Sequence, residues 1–179
     1  MAIYFFRNTG DVNWGTATNW SLSDGGPADG AVPTAADDAR FTANSGNCTT
    51  NASARVCLTL NCTGYTNTLT LTQVLTVGGN ITLSGTMTIA GASQLRISAS
   101  GTVTGNGCNI PNFRIGVTVS LNCILADVLS IDNLLIGGNN ATTFTINGNS
   151  ININGNLTLG TAANGITLAS CDRTHRVTV

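Results

Sequence analysis

From residue 53 onward apolar and polar positions alternate almost without interruption. The segments LTLNC (58–62), TLTLT (68–72), VLTVGG (74–79), NITLSG (80–85), TMTIAG (86–91), QLRIS (94–98) and GTVTG (101–105) place apolar residues at every second position. After Pro111 the pattern resumes in FRIGVTVSLN (113–122), LLIGG (134–138), TFTING (143–148), ININGNLTLG (151–160) and GITLAS (165–170). A period of two is that of a strand with one buried face. Gly or Asn-Gly separates the segments, at Gly78-Gly79-Asn80, Gly85, Gly91, Gly137-Gly138-Asn139, Asn147-Gly148, Asn154-Gly155 and Asn164-Gly165. Such residues supply the positive φ of sharp corners. Only VSLNCILADVLSIDNLLIG (119–137) has the length of a short helix. Its Val and Ile content and its lack of caps predict two buried strands instead.

Short strands joined by one to three turn residues suit a β-solenoid or a β-sandwich of the jelly-roll kind. Self-similarity favours the solenoid: GGNITLSG (78–85), NGNSININ (147–154) and NGNLTLG (154–160) are variants of one unit, Gly-Asn-x-(Thr/Asn)-(Leu/Ile). In a solenoid the inward Leu, Ile and Val of one coil stack on the next, while the outward Thr and Asn form polar ladders. A sandwich calls for longer strands and clear hairpin turns. The expected fold is therefore all-β, a β-solenoid resembling a parallel β-helix, with an N-terminal β cap.

Residues 1–50 differ from the rest. They contain both tryptophans, Trp14 and Trp20, two of the three prolines, and the aspartates at 11, 24, 29, 37 and 38. A solenoid cannot leave its first coil open, because a raw sheet edge pairs with other chains. Residues 1–50 are thus expected to form a cap or attachment region, and residues 51–179 the solenoid body. At the other end DRTHRVTV reads as a strand without a polar terminator, so a partner or a continuation of the chain is expected to cover that edge.

Composition narrows the function. Of 179 residues only 8% are charged, against about 25% in an average soluble protein. Every basic residue is Arg and every acidic one Asp; Lys and Glu, good helix formers, are absent. The net charge is −1, and the seven arginines are scattered rather than clustered as a nucleic-acid footprint requires, so no nucleic-acid partner is expected. Weak charge repulsion suits a piece of a larger assembly. No apolar run approaches the roughly 18 residues of a membrane span, so no membrane insertion is expected. MAIYFFRNTGD lacks the basic start and apolar length of a signal peptide, which suggests synthesis in a cytosol. Six cysteines stand at 48, 57, 62, 108, 123 and 171; Cys57, Cys62 and Cys123 fall in apolar runs, and free core thiols are expected. With no Cys-x-x-Cys, neither zinc nor another cofactor is expected.

The first half of the chain carries a recognisable order of features. YFFRNTGDVNW is followed by NWS (19–21), then DGGPADGAVPTAADDARFTANSG (24–46), then LTVGGNITLSG (75–85). Over residues 1–105 this resembles phage virion structural and tail-appendage proteins, the fibres and spikes. In these an aromatic strand, a Trp-containing turn, Asn-Trp-Ser, a Gly-rich stretch, Pro-Thr-x-x-Asp-Asp and an aromatic precede Asn/Thr-rich β repeats. The resemblance implies a virion protein made in the host cytoplasm and displayed on the particle. It implies partners among other virion proteins and copies of itself, as a homotrimer, with a host cell-surface glycan as a further partner. A capsid decoration or head fibre, a polysaccharide-degrading β-helix enzyme and a bacterial surface adhesin module are the alternatives. The matching positions, Trp14, Trp20, Pro33, Asp37, Asp38 and Phe41, are the candidate cap and interface residues.

Each candidate also has a plain structural reading. Trp14 and Trp20 could stack on sugar, but are expected to plug the first coil, with indole N–H groups on backbone carbonyls. Asp37-Asp38 could attract calcium, but one pair is not a site, and a turn in which Asp accepts backbone N–H groups is expected. Asp127 and Asp132 could serve as acid and base on a glycosidic bond, but their odd spacing sets them on opposite faces of a continuous strand. SCDRTH (170–175) gathers Ser, Asp and the single histidine, His175, too closely along the chain for a triad. No catalytic residue is therefore expected and the chain is not expected to be an enzyme. The Asn-x-Ser/Thr sequons at Asn19, Asn47, Asn51, Asn61, Asn80, Asn140 and Asn156 follow from composition and, without export, carry no meaning.

Overall fold

A computed structural model describes residues 1–116, 121–137, 142–146, 151–159, 166–170 and 177–178. It is an all-β solenoid of about five turns. Strands β1 (Ile3–Phe6) and β2 (Trp20–Ser21) precede the first full coil, which comprises β3 (Asp38–Arg40), β4 (Cys48–Thr49) and β5 (Arg55–Cys57). The second coil is β6 (Thr59–Asn61), β7 (Thr68–Thr70) and β8 (Leu75–Val77), and the third β9 (Ile81–Thr82), β10 (Thr88–Ala90) and β11 (Leu95–Ile97). Then come β12 (Gly101–Thr104), β13 (Asn109–Ile115), β14 (Leu121–Leu125), β15 (Leu129–Ile136), β16 (Thr142–Ile146), β17 (Ile151–Ile153), β18 (Leu157–Leu159), β19 (Ile166–Ser170) and β20 (Val177–Thr178). The predicted pair of strands within 119–137 is β14 and β15.

Three sheets form the sides of the coil. The first runs β19-β16-β14-β12-β9-β6-β3-β1-β2, the second β10-β7-β4, and the third β20-β17-β15-β13-β11-β8-β5, with β18 also beside β15. All pairings are parallel except β1 with β2. Each strand therefore bonds to the strand about one coil away, and partners recur at intervals of about 21 or 22 residues. In later coils the second and third sides fuse. One half of β15 pairs with β17 through Leu129–Ile131 and the other with β18 through Leu134–Ile136.

The alternating pattern sets which residues stack inside. Ala39, Leu60, Ile81, Val103 and Leu125 form one buried column along the first sheet. Leu75, Leu95, Phe113 and Leu134 form another along the third, beside the column of Cys57, Val77, Ile97, Ile115 and Ile136. Each Leu, Ile, Val or Phe among them contributes about 1.5–3 kcal/mol on burial, against the ~1–2 kcal/mol cost of fixing each residue's backbone. Long, loosely ordered corners would cancel that gain, so corners are tight. At Gly91 φ is +95°, and a Cβ there would lie 2.3 Å from the Leu71 carbonyl oxygen of the coil before. No other residue fits both conditions.

Cys48, Cys57, Cys62 and Cys108 are buried free thiols, as the apolar context of the cysteines predicts. Burial pushes all four thiols up, Cys108 to about 11, so they remain protonated fillers of the interior. The Cys123 side chain and Cys171 lie outside the described residues.

The column architecture predicts a sharp inside–outside contrast. Leu95→Ala, in the middle of a buried column, is expected to lower unfolding stability by about 2–5 kcal/mol. Thr76→Ala, one rung away but outward, is expected to stay within about 0.5 kcal/mol of the parent. Urea titration monitored by circular dichroism measures both.

Candidate functional site

The N-terminal region is an incomplete coil that turns back on itself. β1 adds a parallel rung to β3, with Tyr4 opposite Ala39. The chain then crosses the second side, where Val12–Trp14 runs along β4. The Thr49 amide donates to the Val12 carbonyl at 2.6 Å and the Trp14 amide to the Thr49 carbonyl at 3.0 Å. Instead of building a third side, it makes a 3-10 turn at Ala17–Asn19 and returns as β2, antiparallel to β1. The sheet edge thus ends in a two-residue strand, too short to template another chain.

Both tryptophans lie wholly inside, with no solvent exposure. Their rings meet edge to face at 4.8 Å, and Phe6 meets Trp20 likewise at 5.1 Å. Phe41 stacks on Phe6 at 5.2 Å, lies within 6 Å of both tryptophans, and touches Tyr65 at 5.2 Å. Aromatic pairs of this kind contribute about 0.5–1.5 kcal/mol each beyond burial. The rings therefore close the first coil as an apolar lid, and neither indole face is open to a sugar. The Trp20 indole N–H donates to the Trp14 carbonyl at 2.7 Å, whereas the Trp14 Nε1 is buried without a partner.

The polar residues of the motif hold this lid in place. Asn19, buried, donates from Nδ2 to the Asn13 carbonyl at 2.9 Å and accepts the Thr9 hydroxyl at 2.7 Å. The buried Ser45 hydroxyl donates to the Phe6 carbonyl at 2.6 Å and accepts the Thr42 amide at 3.0 Å. At the glycine after it the Asn8 side chain lies close, and a Cβ at Gly46 would fall 2.7 Å from its oxygen. The Tyr65 hydroxyl sits 2.9 Å from the Gly46 carbonyl. Pro33 is buried ahead of the turn. Asp37 accepts the Thr34 hydroxyl at 2.6 Å and the Ala2 amide at 2.8 Å, clamping the N-terminal strand to the first coil. Those two hydrogen bonds, the hydroxyl foremost, hold its carboxyl below the usual value. Both Asp37 oxygens are thus taken by protein donors. Asp38 heads β3, its amide donating to the Ala2 carbonyl.

The sequence candidates therefore divide. Trp14, Trp20 and Phe41 converge in one cluster, and Pro33, Asp37 and Asp38 frame its entry. Asp127 and Asp132 do not converge. A bend separates them, so they do not share the continuous strand that their spacing was read on. Asp127 accepts the amides of Gly105 and Asn106 across the coil, and Asp132 accepts side-chain amides of Asn109 and Asn154. Residues 171–176 of the SCDRTH cluster lie outside the described residues. Sequence reasoning quoted Phe6, Asn19 and Ser45 within the motifs without singling them out, and passed over Tyr65. Phe6 and Tyr65 were legible as scarce aromatics, but the two polar residues become special only through long-range contacts.

Among the described residues no group of three or more His, Cys, Asp or Glu side chains is placed to hold a metal ion, and no helix is long and apolar enough to cross a membrane. Comparison with protein families, curated proteins and solved structures returned no match.

The two indoles are chemically unequal, and substitution should expose this. Trp20→Phe leaves the Trp14 carbonyl unpaired and is expected to cost at least 1 kcal/mol more than Trp14→Phe, which removes an unpartnered buried donor. Chemical denaturation of the two variants gives the difference. A second prediction concerns acid. Asp37 has a lower pKa folded than unfolded, so its contribution is present above an unfolded value of about 3.9 and is lost as pH falls through the lowered folded value. Asp37→Asn is expected to be less stable than the parent at pH 7, with the gap narrowing as pH falls below the unfolded value and through the lowered folded one. Thermal midpoints of both proteins across pH 2–7 provide the check.

Proposed function

We propose that the protein is a structural component of a bacteriophage virion: a tail fibre, tail spike or other appendage module that acts as rigid scaffold and host-surface adhesion element. The observation that carries this reading is the stack closed at one end by the very residues of the virion-protein resemblance. In such a stack the backbone bonds run from coil to coil, so bending it strains many hydrogen bonds at once. Load along the axis is shared by the parallel ladders and by the packed columns inside. The lid keeps the first coil from pairing edge to edge with other copies, leaving lateral faces for the homotrimer. Asp127 and Asp132, the pair best suited by sequence to glycosidic chemistry, are engaged by other groups, Asp127 at a corner and Asp132 by asparagines of neighbouring coils, which favours adhesion over cleavage.

Sedimentation velocity of the purified chain is expected to give a trimer. A monomer that stays soluble at high concentration would count against the assembly. Incubation with host capsule or lipopolysaccharide is expected to release no reducing ends; depolymerisation would replace the scaffold reading with an enzymatic one.

A further inference from the structure

The third sheet carries two outward columns that were not singled out by the lid or by the motifs. Gln94, Asn112, Asn133 and Asn156 occupy successive rungs, because Leu95 pairs with Phe113, Phe113 with Leu134, and Leu134 with Leu157. Two residues further along each strand, on the same face, stand Arg96, Arg114, Leu135 and Thr158. Amides and guanidinium groups therefore run side by side, parallel to the solenoid axis, with rungs about 4.8 Å apart.

The amide column is an ordered ladder. Asn133 Nδ2 donates to Asn112 Oδ1 at 3.1 Å, and Asn156 Nδ2 to Asn133 Oδ1 at 3.2 Å. Beside it lies an open groove of about 250 Å³ bordered by Gln94, Phe113 and Leu135. The Gln94 side-chain amide makes no hydrogen bond among the described residues.

The arginine pair is unusual for this chain. Arg96 and Arg114 face each other directly in register, two like charges on adjacent rungs. Partial burial, and then the Arg114 charge, lower the Arg96 pKa, yet a guanidinium stays cationic at neutral pH. Their Nε atoms are buried without a partner, as are those of Arg40 and Arg55, so it is the direct pairing across rungs that sets them apart. Arg40, also outward, lies over the Phe5 ring at 5.7 Å; neither Arg96 nor Arg114 has such a contact among the described residues. The nearest acid along these strands, Asp132, lies within β15 beside Asn133 and accepts from Asn109 at 3.1 Å and Asn154 at 3.3 Å. Nothing within the two columns offsets the paired positive charge.

We propose that this face binds an acidic polysaccharide laid along the solenoid axis, its carboxylates on Arg96 and Arg114 and its hydroxyls on the amide ladder and Gln94. A guanidinium binds carboxylate through paired N–H groups, and amides bind hydroxyls as both donors and acceptors. The rung repeat is comparable to the length of a sugar ring, so successive sugars can meet successive rungs. A nucleic acid is the other linear polyanion, but the face lacks the aromatic stacking platform that single strands use and the basic run that duplexes use. The inference deepens the adhesive half of the function proposed above, and its test is independent of the trimer.

The experiment is affinity electrophoresis of the full chain in gels containing polygalacturonate, neutral dextran or a single-stranded oligonucleotide. Retardation is expected with polygalacturonate alone. Arg96→Gln and Arg114→Gln are each expected to weaken it roughly tenfold, the loss of one charge-assisted contact. Arg40→Gln, on another side, should leave it unchanged. The double variant should abolish it while keeping the parent's circular dichroism and thermal midpoint, because replacing both adjacent like charges by neutral amides removes repulsion and breaks no ion pair of the two columns. No retardation by polygalacturonate, equal retardation by oligonucleotide, or equal weakening by Arg40→Gln would each overturn the proposal. A trimer indifferent to polygalacturonate would remove the binding face and leave the scaffold standing.

Discussion

Each strand of the solenoid body satisfies its backbone through strands one coil away, and nothing nearer in sequence takes their place. With two to four residues in most strands, a slip of one position would turn every inward residue outward. Register is therefore the condition on which the columns, the corners and the outer ladders all rest. It is set twice over. Inside, Leu, Ile, Val and Phe must meet their own kind on the next rung. At the corners, contacts such as the Asp127 carboxylate on the amides of Gly105 and Asn106 fix the phase between coils. With so few charges in the chain, polar neighbours such as Asn112, Asn133 and Asn156 fix it from outside.

The lid is the price of open ends. A parallel stack has no natural first coil, so the initial strands must be unlike the rest. Here the chain adds a rung with β1, half-covers the second side, and then reverses. The aromatic rings fill the space that a third strand would have closed. The one unpartnered indole nitrogen, that of Trp14, sits in this improvised region rather than in the regular body. Packing of five large rings outweighs one lost hydrogen bond, since each ring removes far more apolar surface from water than one N–H costs to leave bare.

Much of this was legible in sequence, because it depends on local alternation. The strands of the body, the pair within 119–137 and the burial of both tryptophans follow from period two and from the scarcity of aromatics. The division of each coil into three sides did not follow, since alternation says which residues face in but not where the chain turns a corner. Nor did the fusion of two sides in β13 and β15, where Pro111 and Asn112 continue the strand where a turn would otherwise be placed. Asp37 was readable as a turn residue, but its hold on Ala2 joins positions 35 residues apart, a contact that no local pattern encodes. For the same reason the pairing of Arg96 with Arg114 was invisible: two isolated arginines become neighbours only when register is known.

The composition of the lid gives the molecule a direction in time. Its rings come from Phe6, Trp14, Trp20, Phe41 and Tyr65, so the residues that close the first coil are synthesised before most of the body that stacks on it. Later strands then arrive one after another beside an edge already formed, and each newly paired strand becomes the template for its successor. Loop-closure entropy is spent one coil at a time rather than all at once. A chain with so few charges to keep its unfolded form apart from its neighbours gains from such an order, since a coil that is paired on both sides offers no free edge.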